Sequence, residues 1–215
     1  MVKIAPSILS ANLLKIENEV KKVDEGGADY IHIDIMDGQY VNNITFGPNI
    51  VSSLRSITDK VLDVHLMIKS VELFVDEFIN AGTDILSFHP EIVNEPKKII
   101  NRIKDKNCKC GLALHPDISV EEIEDLICLA DQIIVMTVIP GFGGQKFMEN
   151  QLNKIKILNN LRKNKNYNFQ IEIDGGINLE TSKLCKENGV DILVAGSYIY
   201  NADEANYSNL IKSLK

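Results

Sequence analysis

Three apolar segments whose composition is typical of β-strands carry ionisable residues. The segment IHIDI at 31–35 carries His32 and Asp34 two positions apart, so in a strand both side chains project from the same face. The segments DVH at 63–65 and IEID at 171–174 offer His65 and Asp174 in the same way. Such groups are costly inside a protein unless they are satisfied, and a metal ion would satisfy them.

Two imidazoles and two carboxylates form a suitable ligand set for one divalent metal ion. Zn²⁺ is favoured, with Fe²⁺, Mn²⁺ or Co²⁺ as alternatives. A single histidine in a strand is more often a satisfied core residue, but all four histidines of the chain fall in or just after strand-like segments, which weakens that interpretation. They are His32, His65, His89 and His115. Asp63 and Glu172 precede two of the ligands by two positions, and we interpret them as inward-facing structural partners.

Three glycine-rich segments follow late apolar runs: PGFGGQ at 140–145, DGGI at 174–177 and AGS at 195–197. Exposed backbone amides in such loops can hold an anion without lysines. Glycines also serve as plain turn residues, but three clusters in succession favour phosphate binding. Met36, Met67 and Met136 lie near strand ends, and they are either adaptable core residues or an apolar wall over a substrate.

Eight short apolar runs, each followed by a helical pattern, predict an α/β fold. Near-continuous apolar strands separated by helices are typical of a parallel sheet that is buried on both faces. Eight such units favour one closed (β/α)8 TIM barrel over residues 1–215, whose active site would lie at the carboxyl ends of the strands. The runs begin at Lys3, Tyr30, Val61, Asp84, Cys110, Gln132, Gln170 and Asp191. Ser70 and Ser119 are expected to cap helices.

Composition and charge exclude some classes of binding partner. The chain has 215 residues, 45% of them hydrophobic, and a net charge of −7. This balance argues against nucleic-acid or anionic-membrane binding. A signal peptide and a membrane span are not apparent, so we expect a cytoplasmic protein whose four cysteines stay reduced. The sequence leaves a homo-oligomer open.

Seven stretches, in order along nearly the whole chain, resemble the ribulose-phosphate 3-epimerase family. The resemblance implies a barrel of the ribulose-phosphate-binding type. The stretches are APSILSA at 5–11, HIDIMDG at 32–38, DVHLM at 63–67, VMTV at 135–138, PGFGGQ at 140–145, DGGI at 174–177 and GS at 196–197.

The family's chemistry, if carried over, is epimerisation at C3 of a ketose phosphate, most simply D-ribulose 5-phosphate to D-xylulose 5-phosphate in the pentose phosphate pathway. The resemblance implies Asp34 and Asp174 as the acid–base pair that works through a cis-enediolate, with a metal held by these two and by His32 and His65. Two carboxylates that flank the substrate suit proton transfer on opposite faces of one carbon. The substrate contacts implied, or interpreted as such, are Ser7, Met36, His65, Met67, Met136, Gly141, Phe142, Gly143, Gly144, Asp174, Gly175, Gly176, Gly196 and Ser197.

Some loop positions depart from the family pattern, among them Asn42 where proline is usual, and His115 and Ile139 where asparagine is usual. A 3-epimerase of a hexulose 6-phosphate, such as D-allulose 6-phosphate, is therefore the alternative within the same chemistry. A catalytically inactive barrel that binds a sugar phosphate is the alternative of another class. A lyase or decarboxylase of the wider phosphate-binding barrel group would usually present a lysine at a strand end. The nearby candidates, Lys69 and Lys146, lie outside strand ends, so this class is disfavoured.

Overall fold

The computed structural model describes residues 2–215 and shows eight parallel strands in one sheet that curls into a barrel. Each strand begins within one residue of its predicted start, and the predicted (β/α)8 fold is confirmed. The strands are β1 (Lys3–Pro6), β2 (Tyr30–Met36), β3 (Val61–Met67), β4 (Ile85–Phe88), β5 (Lys109–Leu114), β6 (Gln132–Met136), β7 (Gln170–Asp174) and β8 (Ile192–Ala195).

Helices surround the barrel and connect its strands. They are α1 (Ile16–Glu25), α2 (Pro48–Arg55), α3 (Val71–Asn80), α4 (Pro96–Lys104), α5 (Glu124–Ile127), α6 (Leu152–Lys165), α7 (Leu179–Glu187), α8 (Ser197–Tyr200) and α9 (Tyr207–Leu214). The prediction that Ser70 and Ser119 cap helices was wrong about the hydrogen bonds. Helix α3 does follow Ser70, but the serine hydroxyl makes no capping hydrogen bond, and the turn after Ser119 begins as a 3₁₀ segment at Glu121.

Alternation along each strand separates two environments. On β2, Ile31, Ile33 and Ile35 face outward and belong to the main hydrophobic core between sheet and helices. His32 and Asp34 face inward and are buried as well. Apolar burial against the helices therefore holds the strand in a register that forces ionisable side chains into the barrel.

The barrel closes where β1 meets β2, the two strands at the ends of the hydrogen-bonded order. Strand β1 pairs with β8 along its length, whereas its link to β2 is the single bridge between Ser7 and His32. At the other end of this seam, the Asp29 amide donates to the Ile4 carbonyl oxygen at 2.9 Å. The seam thus brings Ser7 beside the inward-facing residues of β2.

Within residues 2–215, no helix combines the length and the apolar character that a membrane crossing requires.

One close approach inside the barrel yields a stability prediction. Gly111 on β5 pairs with Ser87 on β4, and a Cβ atom on Gly111 would lie 2.0 Å from the Ser87 hydroxyl oxygen. We expect Gly111→Ala to lower the free energy of unfolding by about 1–3 kcal/mol, because the added methyl group overpacks the interior. Urea unfolding measures the loss. The paired substitution Gly111→Ala with Ser87→Gly should recover much of it, and a single variant as stable as wild type would contradict this packing.

Candidate active site

Four ligand atoms from β2, β3 and β7 converge at the carboxyl end of the barrel. His32 Nε2 lies 3.4 Å from Asp34 Oδ1 and 3.9 Å from Asp174 Oδ2. His65 Nδ1 lies 3.6 Å from that same oxygen of Asp34 and 3.7 Å from that of Asp174. A tetrahedral site with bonds of about 2.1 Å has edges of about 3.4 Å. The four predicted ligands therefore surround a space of the right size for one divalent ion. Their ligand atoms all lie within 4.8 Å of one another.

The two imidazoles carry the signature of a ligand set. His32 Nε2 and His65 Nδ1 are both buried and have no hydrogen-bond partner. Burial opposes charge on His32, yet the Asp34 and Asp63 carboxylates outweigh it and hold the pKa of His32 well above its usual value. In the same way His32 overrides the burial of Asp34 and holds the pKa of this carboxyl well below its usual range. The residues thus fit a cation at their centre, which would engage both unpartnered nitrogens at once.

Beneath the ligands, a second layer of polar residues fixes the ring of His32. Its Nδ1–H donates to Asp63 Oδ2 at 2.7 Å, and Asp63 Oδ1 accepts from the Gln132 side-chain amide at 3.1 Å. A carboxylate behind a histidine ligand sets the tautomer that leaves the other nitrogen free. Asp63 is in the partner role expected of it.

Glu172 lies in the same layer, with its nearest carboxylate oxygen 3.4 Å from His32 Nδ1. Both of its oxygens are buried without a hydrogen-bond partner. Burial, reinforced by the Asp63 charge, raises the pKa of Glu172 well above its usual value. Since the Nδ1–H of His32 is already engaged by Asp63 at the shorter distance, Glu172 stands behind the ligands and does not complete a second ion position.

His65 is supported on a different side, by a histidine that the sequence did not single out for this role. His65 Nε2 lies 3.0 Å from His89 Nε2. On the far side of the ring, His89 Nδ1 lies 3.1 Å from Glu91 Oε1 and 3.1 Å from the Tyr40 hydroxyl. Burial lowers the pKa of His89 to about 4. A neutral imidazole therefore links the metal-side histidine to a carboxylate near the surface.

Asp34 is anchored by its second oxygen and by its own backbone. The Ser7 hydroxyl donates to Asp34 Oδ2 at 2.6 Å, so Ser7 is in contact with the carboxylate as well as with the pocket. The Thr45 hydroxyl donates to the Asp34 carbonyl oxygen at 2.6 Å and accepts from the Met36 amide at 3.0 Å. These bonds leave Asp34 Oδ1 directed toward the two imidazoles.

A pocket opens above this cluster, and it is lined by most of the predicted site residues. Of the substrate contacts proposed from the sequence, it is lined by Ser7, Met36, Met67, Met136, Gly141, Phe142, Gly143, Gly144, Asp174, Gly175, Gly176, Gly196 and Ser197, together with Asp34. His65 is set back from the wall and reaches the site through Nδ1. Sequence reasoning missed Leu9, Ser10, Val138, Pro140, Gln145, Ile177 and Val194 as lining residues. Ser10 stands in the APSILSA stretch, which was the available signal.

The glycine loops after β6, β7 and β8 form the other end of the pocket. Gly176 has φ +66°, and a Cβ there would lie 2.6 Å from the Phe147 backbone nitrogen. A Cβ on Gly196 would lie 2.7 Å from the Ser10 hydroxyl oxygen. Among the lining residues that the structure describes there is no lysine or arginine. An anion here would rely on backbone amides and hydroxyls.

Apolar side chains separate the two ends. Met36 and Met67 pack together with Val41 and Tyr40, and Met136 packs with Val138 and interior residues of β5 and β6. All three methionines are buried and line the pocket. They are at once core residues and a wall, so the two interpretations of the sequence are compatible.

His115, the fourth histidine, does not line this pocket. Its Nδ1 accepts a hydrogen bond from the Asp117 amide at 3.2 Å, and the Lys154 ammonium donates to the His115 carbonyl oxygen at 2.9 Å. It holds the turn after β5.

Comparison with known proteins identifies the family of the chain. The model of the ribulose-phosphate 3 epimerase family matches residues 3–200. The chain is 46% identical over 205 residues to ribulose-phosphate 3-epimerase of Bacillus subtilis, covering 95% of this chain and 94% of that protein. It is 42% identical to the chloroplastic ribulose-5-phosphate-3-epimerase of Arabidopsis thaliana, covering 99% of this chain and 75% of that protein.

Solved structures with far lower identity share the fold. The structure of KGPDC from Streptococcus mutans superposes with a TM-score of 0.71 at 19% identity, covering 100% of this chain and 95% of that one. The fold alone therefore does not identify the family, whereas the sequence match over residues 3–200 does. The chain belongs to the ribulose-phosphate 3-epimerase family.

Proposed function

We propose that this protein is a metal-dependent 3-epimerase that interconverts D-ribulose 5-phosphate and D-xylulose 5-phosphate. The observation that carries the proposal is the pair of carboxylates, Asp34 and Asp174, which line one pocket from different strands and border two imidazole nitrogens without partners. The relatives in Bacillus subtilis and Arabidopsis thaliana, named for this activity, support the choice of sugar. The four cysteines are unpaired, in keeping with the cytoplasm, which is the compartment we propose.

The two carboxylates act as a general base and a general acid. Inversion beside a carbonyl requires that a proton leave one face of C3 and that another arrive on the opposite face. Asp34 extends from β2 and Asp174 from β7, and a sugar chain lying between them presents one face of C3 to each. In either direction, one aspartate takes up the proton and the other supplies one. Because each aspartate can play either part, the same pair serves the reaction in both directions.

His32, Asp34, His65 and Asp174 would hold one divalent ion, with Zn²⁺ favoured by the two imidazoles and by the tetrahedral spacing. When bound, such an ion would supply Lewis-acid stabilisation of the negative charge that develops on the substrate oxygens. Ser7 holds the second oxygen of Asp34, so that this carboxylate keeps a fixed direction while protons move.

The substrate would lie along the pocket from the carboxylates to the glycine loops. The phosphate is assigned to the backbone of Gly141, Gly144, Gly176 and Gly196 and to the Ser197 hydroxyl, all of which line the far end. Met36, Met67 and Met136 would cover the reacting carbons and limit the access of water, which protects the enediolate from stray protonation.

The acid–base assignment is tested by replacing each carboxylate with its amide. Asp34→Asn and Asp174→Asn should each lower turnover by about 10²–10⁴-fold, because an amide can neither take up nor deliver the proton. Conversion of D-ribulose 5-phosphate to D-xylulose 5-phosphate, followed by proton NMR, is the measurement, because inversion needs both groups. Asp117→Asn, at a solvent-exposed carboxylate outside the pocket, is the matched control. Epimerisation at the wild-type rate in either active-site variant would refute the assignment.

Metal dependence is tested on the unmodified chain. Removal of divalent ions with a chelator should stop turnover, and one equivalent of Zn²⁺, Fe²⁺, Mn²⁺ or Co²⁺ should restore it, because the Lewis acid is lost and regained. Elemental analysis before and after treatment gives the metal content that accompanies each rate. A chelated protein that contains no metal and works at full speed would end the metal proposal.

The sugar is tested by comparing D-ribulose 5-phosphate with D-allulose 6-phosphate under the same conditions. We expect the higher kcat/KM for the pentulose, by about 10-fold or more, since one additional CHOH group must fit between the carboxylates and the glycine loops. A preference for the hexulose would shift the assignment to that substrate and leave the chemistry unchanged. Binding of both sugars without any exchange would favour the non-catalytic barrel.

A further inference from the structure

A line of hydrogen-bonding groups leads away from the metal-side histidine to the surface, through residues to which the mechanism above gives no role. It runs from His65 through His89 to Glu91 and Tyr40. His65 and His89 have no exposed side-chain surface, and Glu91 is about one-fifth exposed. We propose that His89 is a positioning residue, which holds His65 in the tautomer that a metal ligand needs. This inference rests on the proposed metal site.

The contact between the two histidines admits only one proton. His65 Nε2 and His89 Nε2 are 3.0 Å apart, so one of these nitrogens donates and the other must accept. If His89 donated, His65 would carry its proton on Nδ1, in the space between Asp34 and Asp174, and could not ligate there. If His65 donates, its Nδ1 keeps a lone pair directed at that space. Metal binding therefore requires His89 Nε2 to be the acceptor.

The far side of the His89 ring makes that choice. His89 Nδ1 is 3.1 Å from Glu91 Oε1, an oxygen that can only accept when the carboxylate is ionised. The Tyr40 hydroxyl donates to the same oxygen at 2.8 Å. Burial would raise the pKa of Glu91, but its hydrogen bonds with His89 and Tyr40 outweigh burial and lower it. Glu91 therefore stays ionised, draws the His89 proton to Nδ1, and leaves Nε2 free to accept from His65.

The arrangement also joins two loops to the metal site. Tyr40 belongs to the loop after β2, and Glu91 belongs to the 3₁₀ segment Pro90–Ile92 after β4. His32 receives the equivalent support from within the barrel, through Asp63. The two histidine ligands are thus fixed by separate partners, one in the barrel interior and one near the rim. A mutation should therefore remove the support of one histidine and leave that of the other in place.

The first test reads the tautomers directly in the wild-type chain loaded with Zn²⁺. Long-range proton–nitrogen correlation spectra of uniformly ¹⁵N-labelled protein distinguish a protonated from an unprotonated ring nitrogen. We expect a proton on His89 Nδ1 and none on His89 Nε2, with a proton on His65 Nε2. A His89 ring protonated on Nε2 would overturn the proposal, and this measurement does not depend on the folding of any variant.

The second test compares Zn²⁺ affinity, measured by competition with a chromophoric chelator. His89→Phe removes the acceptor but keeps a ring of similar size, and its Kd should rise by about 10-fold or more. His89→Gln retains a side-chain oxygen that can accept from His65, and its Kd should stay within about threefold of wild type. His115→Phe is the matched control, at a strand-end histidine that does not contact the site, and it should bind as wild type does.

Two kinds of failure can be told apart, that of the positioning role of His89 and that of the metal site. A wild-type Kd for His89→Phe, or equal losses in His89→Phe and His89→Gln, would overturn the positioning role while leaving the metal site intact. Failure of the wild-type chain itself to bind Zn²⁺ would instead overturn the proposed metal site.

Discussion

The structure depends on one electrostatic constraint, which is that several carboxylates and two imidazoles are enclosed together inside the barrel. Asp34, Asp63 and Glu172 are buried, and Asp174 is close beside them at the mouth. Burial alone would push such groups toward their neutral forms. The hydrogen bonds from Ser7 and Gln132 compensate two of the carboxylates, but the unpartnered nitrogens of His32 and His65 are satisfied only by something placed between them.

The fold accommodates this constraint because a parallel barrel keeps its two kinds of packing apart. Outward side chains of the strands form the apolar core with the helices, so the interior need not supply the stability of the sheet and can carry ionisable groups. The same geometry separates the two ends of the pocket. Strands β2, β3 and β7 place the carboxylates and imidazoles, and the loops after β6, β7 and β8 place the glycines. A substrate with a carbonyl at one end and a phosphate at the other matches this division.

Much of this was predictable from the sequence, for reasons that are local. The eight strands follow from apolar runs, and the two-residue spacing of His32 and Asp34 directs both side chains inward. The membership of the epimerase family followed from seven ordered stretches and is confirmed. What escaped prediction depends on contacts between distant segments. Nothing in the sequence places His89 Nε2 beside His65 or the Ser7 hydroxyl on Asp34, and the serine expected to cap α3 makes no such bond because capping depends on the side-chain rotamer and local dihedral angles.

We propose that one ion binds between four side chains from three strands. Anomalous diffraction at the zinc absorption edge, from crystals of the zinc-loaded protein, locates such an ion. We expect a single strong anomalous peak at about 2.0–2.2 Å from His32 Nε2, His65 Nδ1 and a carboxylate oxygen of each of Asp34 and Asp174. A peak that lies on other residues, or no peak inside the barrel, would contradict it.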